Sequence, residues 1–165
     1  MQYECIWDIK HTRNNEVIWS ESKKNMLVDS GEKALVDTFF RNNGDLYFTD
    51  PTRSFFVGLA SGVFSESTTL FSIPNEPAGN GYTRLELPKS IEGWPIIEQH
   101  NGDWRVVSKE LELEAVSGSI GPVNAAFLCT SRDTQGALIG VLPLTISRTI
   151  LDGDKFVMQL RVKIK

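Results

Sequence analysis

The sequence predicts an all-β, mainly antiparallel fold, either a β-sandwich or a jelly roll, with one short helix. Apolar and polar residues alternate along many segments of strand length, as in half-buried strands. Turn residues such as Gly, Pro, Asn and Asp separate these segments about every 8 to 15 residues. A single stretch has helical spacing, and strands and helices do not alternate as they do in parallel sheets.

The N-terminal segment is predicted to form a β-hairpin. Apolar residues occupy every second position from 3 to 9, which favours a strand with one buried face. Residues 11–15 are typical of a turn, and residues 16–19 are predicted to return as a second strand. The polar residues 20–25 are predicted to form a loop.

The one predicted helix covers residues 29–42. Asp29 suits the N-cap position, and Glu32 stands at the capping-box spacing from it. The apolar residues that follow recur at helical intervals. Asn42, Asn43 and Gly44 tolerate the left-handed conformation that commonly ends a helix.

The rest of the chain is predicted to be strand and turn. Asn101-Gly102 is a favoured two-residue hairpin turn between two short strands. The last strand is the most regular, because apolar residues occupy every second position from Phe156 to Ile164. The other predicted strands cover residues 54–60, 82–87, 94–99, 104–107, 108–116, 123–130, 137–142 and 145–151.

Charge and hydropathy exclude several classes of protein. The net charge of -4 and the pI of about 5.2 disfavour a general nucleic-acid binder, which usually carries a basic face. No run of residues reaches the roughly 18 apolar positions of a membrane span. The N-terminus has no basic region followed by an apolar run, so no signal peptide is expected. We therefore expect neither nucleic-acid nor membrane partners.

The length of 165 residues corresponds to one domain of ordinary size. The expected organisation is an N-terminal hairpin or arm over residues 1–20 and a β-sandwich domain over residues 21–165. Cys5 and Cys129 lie far apart in alternating apolar surroundings. We predict two buried thiols rather than a disulfide, and a chain made in a reducing cytoplasm.

No motif predicts an enzyme, a cofactor or a metal site. His11 and His100 lie in predicted turns, where solvated side chains are expected. Glu110, Glu112 and Glu114 form an acidic row on one predicted strand face, which favours a solvated face over the carboxylate pair of a glycosidase. The four tryptophans are expected in the core or an interface, with a sugar-stacking surface as the alternative.

One motif also has a purely structural interpretation. Gly79 and Gly81 permit a positive φ, and Tyr82 offers both a ring for packing and a hydroxyl for hydrogen bonding. Arg84, two residues further on, faces the same side and is expected to pin a carboxylate or a carbonyl. These four residues are predicted to anchor a loop to a strand.

The same motif and the order of the surrounding segments are similar to a known group of proteins. The sequence Glu76-Pro77-Ala78-Gly79-Asn80-Gly81-Tyr82-Thr83-Arg84 is similar to the pattern E-x-x-G-x-G-Y-x-R of that group. The helix before the strand at 56–60, the small-residue segment 121–128 and the segment 142–150 before the last strand follow in the same order. Over about residues 26–165, the chain thus resembles small virion proteins of tailed bacteriophages, described as head decoration, cement or tail-fibre-like proteins.

The resemblance implies a non-enzymatic structural protein of a phage particle. The expected role is that of a capsid decoration or cement protein on the outer capsid surface, which bridges neighbouring subunits of the major capsid protein. It also implies a homotrimer, made in the host cytoplasm and without a cofactor. A tail-fibre or tail-tip component and a carbohydrate-binding β-sandwich module are the alternatives.

Two segments are predicted to supply the contacts. The hairpin carries more aromatic surface than a two-stranded ribbon buries by itself, so either the domain body or a neighbouring subunit must cover it. The long loop over residues 62–81 places apolar residues in a polar frame, the pattern of an interface anchor. The predicted interface residues are Tyr3, Trp7, Ile18, Trp19, Leu70, Phe71 and Ile73.

Overall fold

The computed structural model describes residues 3–36 and 53–164. These ranges contain eleven strands and one α-helix, and the predicted all-β fold with one short helix is confirmed. The strands are β1 (Tyr3–Arg13), β2 (Glu16–Lys24), β3 (Met26–Leu27), β4 (Ser54–Ala60), β5 (Leu85–Pro88), β6 (Ile96–His100), β7 (Asp103–Val107), β8 (Leu111–Glu114), β9 (Ile120–Cys129), β10 (Leu138–Ile150) and β11 (Lys155–Ile164), and the helix is α1 (Asp29–Val36).

The strands form two antiparallel sheets. The first has the order β2-β1-β11-β7-β6, with β8 pairing to β11, and the second has the order β3-β10-β9-β4-β5. The main hydrophobic cluster joins side chains from both sheets, so the core lies between them. Its largest members are Trp7, Ile9, Leu59, Leu87, Ile120, Leu142, Ile150, Phe156 and Met158.

The N-terminal hairpin is part of the first sheet. β1 pairs with β11 from Tyr3↔Ile164 to Thr12↔Lys155, and with β2 on its other side. It is therefore an inner strand. Trp7 is fully buried in the core between the sheets, so the domain body covers the inward face of the hairpin.

The prediction of a loop at residues 20–25 is wrong for residues 20–24, which continue β2. Polar side chains hold this strand against the second sheet. The Glu21 carboxylate accepts bonds from Thr145 N at 3.0 Å and Thr145 Oγ1 at 2.6 Å. Lys23 Nζ donates to Pro143 O at 3.0 Å. The polar side chains of Glu21 and Lys23 thus make contacts between the two sheets, and their polarity does not indicate a loop.

The hairpin predicted around Asn101-Gly102 is confirmed. β6 pairs with β7 from Ile96↔Val107 to His100↔Asp103. The two turn residues have φ values of 54° and 88°, the left-handed conformation that a two-residue hairpin turn requires.

Two predicted strands are in fact one, and one predicted strand is shorter. β10 runs without a break through the residues that were predicted to separate 137–142 from 145–151. Its pairing jumps from Pro143↔Ala125 to Arg148↔Val123, so a bulge absorbs the extra residues. The strand predicted over 108–116 is confined to β8.

The helix packs closely on the second sheet. Ser30 Oγ donates to Leu138 O at 2.6 Å, and a Cβ on Gly31 would lie 2.2 Å from Ile139 O. Glycine is needed here because the helix and β10 approach so closely. Asp29 is itself the first helical residue. The predicted helical residues 37–42 lie outside the described part of the chain.

Candidate functional site

The long loop over residues 62–81 presents an exposed aromatic residue beside a buried anchor. A short 3-10 turn covers Leu70–Ser72. Leu70 is 2% exposed and packs in a second hydrophobic cluster, whereas Phe71 is 82% exposed. Ile73 is partly buried against the same cluster. Of the loop residues predicted to meet a partner, Phe71 therefore offers the most surface, and Leu70 belongs to the core.

Local hydrogen bonds fix the shape of this turn. Thr69 and Ser72 form a reciprocal capping box, in which each side chain bonds the backbone N–H of the other. At the base of the loop, Gly62 N donates to Asn124 Oδ1 at 2.9 Å, and Asn124 Nδ2 donates to Gly62 O at 3.0 Å. Hydrogen bonds within the protein therefore order the turn that carries Phe71 without the need for a partner.

The hairpin residues that were predicted to meet a partner also differ in their exposure. Trp7 lies in the core and contributes no outer surface. Trp19 is half-buried, with its ring stacked on Phe156 at a centroid distance of 6.1 Å. Ile18 is 43% exposed. Tyr3 is placed only by its backbone pairing with Ile164.

The residues of the E-x-x-G-x-G-Y-x-R motif meet in one half-buried cluster. Arg84 Nε and Nη2 donate to the two carboxylate oxygens of Glu76 at 2.8 and 2.7 Å, in the bidentate geometry that favours Arg. The Tyr82 hydroxyl donates to the same carboxylate at 2.8 Å and accepts from Leu59 N at 2.9 Å. Arg84 Nη1 also donates to Ser131 O and Asp133 O. The cluster ties the end of the long loop to β4 and to the turn after β9.

The two glycines of the motif shape the loop tip. Gly79, Asn80 and Gly81 have φ values of 77°, 53° and 82°, three successive left-handed residues. A Cβ on Gly81 would lie 2.9 Å from Glu114 O, whereas one on Gly79 would meet nothing within 4 Å. Gly81 therefore satisfies a steric requirement as well as a conformational one.

A second polar cluster, around His11 and Asp154, was not predicted. The expectation that His11 is a solvated turn residue is wrong, because it lies in β1 and is 1% exposed. Its Nε2 bonds Asp154 Oδ2 at 2.8 Å, and Arg148 Nη2 lies 3.1 Å from its Nδ1. Since an arginine only donates, Nδ1 accepts and the neutral ring carries its proton on Nε2.

Asp154 is the centre of this cluster. Arg13 donates to both of its carboxylate oxygens at 2.9 Å, and Leu151 N donates at 3.1 Å. Hydrogen bonding from Arg13 holds the pKa of Asp154 well below its usual range. Burial is the main cause that lowers the pKa of His11 from its ordinary value of 6.5, and Arg148 lowers it further, against the hydrogen bond to Asp154. Both ring nitrogens of His11 are engaged, so the cluster is a structural lock between β1, β10 and the turn that joins β10 to β11.

The sequence held one signal for this lock. His11 continues the inward row of Cys5, Trp7 and Ile9 at a spacing of two residues. Its partner Asp154 lies 143 residues further along the chain, and only the β1–β11 pairing brings the two together.

Cys5 and Cys129 are both buried thiols, as predicted, and they lie in different sheets. Burial raises the pKa of Cys129 to about 11, so its thiol stays protonated and unreactive at neutral pH. Cys129 Sγ lies 3.2 Å from Ser131 O, where a serine hydroxyl is also able to donate.

The double variant Cys5→Ser, Cys129→Ser should therefore fold, with its free energy of unfolding lowered by about 1–3 kcal/mol. Urea unfolding followed by tryptophan fluorescence measures this loss. A Cys5–Cys129 disulfide that proves necessary for folding would contradict the prediction.

The tryptophans and the acidic row are distributed over different surroundings. Trp104 is 62% exposed, whereas Trp7 is buried and Trp19 and Trp94 are half-buried. The acidic row on and before β8 faces solvent, and Glu112 bonds Lys155 Nζ at 2.7 Å. The four tryptophans therefore do not share one sugar-stacking surface.

In the described residues, no helix is long and apolar enough to cross a membrane, and no group of three or more His, Cys, Asp or Glu side chains is placed to hold a metal ion. Neither a protein-family model nor a curated protein matches this chain.

Proposed function

We propose that the protein is a non-enzymatic structural component of a bacteriophage particle, a capsid decoration or cement protein that binds the major capsid protein on the outer surface of the shell. The identity of the partner comes from the resemblance described above. The same resemblance is the basis for proposing a homotrimer. The surface chemistry supports the more general part of the proposal, a contact with another protein.

The observation that carries the proposal is the display of Phe71. Its neighbour Leu70 is anchored in the core, and the capping box of Thr69 and Ser72 fixes the turn between them. A large apolar side chain held in place loses little conformational entropy when it is buried by a partner. Aromatic residues of this kind commonly dominate the free energy of protein interfaces.

The same loop and the tip of the β1–β2 hairpin carry further exposed apolar side chains. Val63 is 94% exposed, Val17 57% and Ile18 43%. Contacts made only with the assembled shell stabilise that state by mass action, by about 2.7 kcal/mol per site at a free concentration of 100 times Kd. A decoration protein needs no chemistry beyond this linkage.

The test is binding to undecorated shells of the producing phage. Phe71→Ser should weaken binding about 10-fold or more, since loss of an aromatic anchor commonly costs over 1.4 kcal/mol. Ile91→Ser is the matched control, because Ile91 is 81% exposed but lies outside the long loop. Equal binding by both variants would contradict the role of the loop. Failure of the wild-type protein to bind shells, with binding to purified tails, would favour the tail-fibre alternative.

A carbohydrate-binding module is the second candidate, and the exposed Trp104 favours it. In that case Trp104→Ala should abolish glycan binding. The wild-type protein should then bind glycans but not phage shells. Glycan-array binding of the two proteins distinguishes this candidate from the first.

A further inference from the structure

The β6 strand is an edge strand with unusual side chains. Among the residues that the structure describes, β6 pairs with β7 alone and ends the order of the first sheet. It carries Ile96 and Ile97, which are 44% and 70% exposed, and a single acidic residue, Glu98. Free edges usually carry lysine, proline or very short strands, because unpaired backbone groups template pairing with another chain.

The other edge strands of the described sheets have such protection. β2 ends in Lys23 and Lys24 and is bonded to β10 through Glu21. β5 has four residues and ends in Pro88, and β3 has two residues. β8, which pairs with β11 alone, has four residues, and its exposed side chains are Glu112 and Glu114. β6 is therefore the edge best suited to intermolecular pairing.

The hairpin register identifies the backbone groups that β6 offers. Residues that flank a two-residue turn exchange both backbone hydrogen bonds, and bonded pairs then recur at every second position. His100, Glu98 and Ile96 consequently bond to β7. The N–H and C=O groups of Ile97 and Gln99 point to the free edge.

We propose that β6 pairs antiparallel with β6 of a second copy of this chain, about a two-fold axis at Glu98. This register bonds Ile97 to Gln99 of the partner and Gln99 to Ile97 of the partner, so every outward backbone group of these two residues is satisfied. The contact is isologous, the commonest kind in symmetric assemblies.

The side chains fit this register on both faces. Ile97, Gln99 and Trp104 share one face, because Gln99 is paired with Trp104. The two-fold axis places Ile97 of each copy beside Gln99 of the other, with the partner's Trp104 one strand further on the same face. The contact therefore covers part of Ile97 and Trp104, which are otherwise 70% and 62% exposed. On the opposite face the two Glu98 carboxylates meet, each bonded to its own Arg105 at 2.6 Å. The charges at the axis are therefore balanced within each copy.

The first measurement is the mass of the particle in solution by light scattering over a concentration series. The wild-type protein should contain an even number of chains: two, with twice the 18.5 kDa of one chain, or six where the β6 contact joins two of the homotrimers that the resemblance implies. Ile97→Lys and Gln99→Pro should each halve that mass, since lysine protects an edge and proline removes an outward N–H without affecting the bonds to β7. Ile91→Lys should leave the mass unchanged, and circular dichroism of each variant checks that it is folded.

Cross-linking tests the register independently. Glu98→Cys should form a disulfide between copies under mild oxidation, because residues directly opposite in such a pair have Cα atoms about 4.5 Å apart. His100→Cys should not, because that residue lies about 13 Å from its own copy in this register. The proposal would be overturned by a wild-type protein that is monomeric or has an odd number of chains. It would also be overturned if the substitutions changed neither the mass nor the cross-linking. None of these results depends on binding to a phage shell, so this proposal and the proposed function fail separately.

Discussion

Replacement of Arg84 by methionine should lower the free energy of unfolding by about 3–5 kcal/mol. Its side chain is 5% exposed, and its guanidinium bonds a carboxylate and two backbone carbonyls. Methionine has a similar length but no donor, so the Glu76 carboxylate, which is 22% exposed, and both carbonyls lose a partner. Removing one partner of a largely desolvated ion pair is among the costliest single changes.

Packing adds to this cost. The Arg84 guanidinium lies over the buried Phe127 ring, with its central carbon 5.3 Å from the ring centroid. Phe127 belongs to the same hydrophobic cluster as Leu70. The variant should therefore loosen the long loop before the whole domain unfolds, and amide exchange of residues 70–82 should increase more than that of β1.

Arg132→Met is the matched control, because Arg132 also pairs with a glutamate through Nη2, at 2.6 Å from Glu86. That pair is exposed, with 61% and 45% of the two side chains accessible, and such pairs contribute about 0–1 kcal/mol. Glu76→Gln should give an intermediate loss, since the amide keeps part of the hydrogen bonding. Equal losses for Arg84→Met and Arg132→Met, measured by urea unfolding, would contradict the role of burial.

Local patterns predicted most of the fold. Alternation placed β11 and the first part of β1 correctly, but β1 continues to Arg13 through residues that were predicted as a turn. Asn101-Gly102 identified the β6–β7 turn, because the residues that make a two-residue turn are neighbours in the sequence. Patterns failed where a distant strand decides the structure. The polar residues at the end of β2 pair with β1, and Glu21 and Lys23 also bond Thr145 and Pro143 of β10.

The same limit applies to the candidate site. The motif predicted that Arg84 pins a carboxylate or a carbonyl, but it did not identify Glu76, eight residues earlier, as the partner. The difference between Leu70 and Phe71 is invisible in sequence, since both are large and apolar. It arises because a single 3-10 turn directs one side chain to the core and its neighbour to solvent.

The lock around Asp154 should be nearly as important for stability as Arg84. Asp154→Ala should cost about 3–5 kcal/mol, because it leaves the buried His11 and the Arg13 guanidinium without their shared acceptor. Asp152→Ala is the control on the same turn, where the side chain is exposed, and its cost should stay within about 0.5 kcal/mol. If the two variants unfold at the same urea concentration, the lock does not hold the strands together.

The lock also makes stability depend on pH, and the sign follows from the direction of the pKa shift. Burial lowers the pKa of His11 below its ordinary 6.5, so the unfolded chain takes up a proton at a higher pH than the folded chain does. Where the unfolded state binds more protons, stability falls as pH falls. The contribution of His11 is therefore complete above about pH 7 and is lost progressively as the pH is lowered from there towards 5. The lowered pKa of Asp154 acts in the same direction at more acidic pH, when its carboxylate becomes protonated.

The chain has two histidines, which provides a matched pair of variants. His11→Gln should remove most of the change in the free energy of unfolding between about pH 7.5 and 5, since glutamine keeps an N–H donor for Asp154 but does not titrate. His100→Gln should leave that change as it is in the wild-type protein, because His100 is exposed at the end of β6. Urea unfolding at several pH values measures both. A pH dependence that survives in His11→Gln, or that disappears in His100→Gln, would show that the buried ring is not the group whose protonation opposes folding.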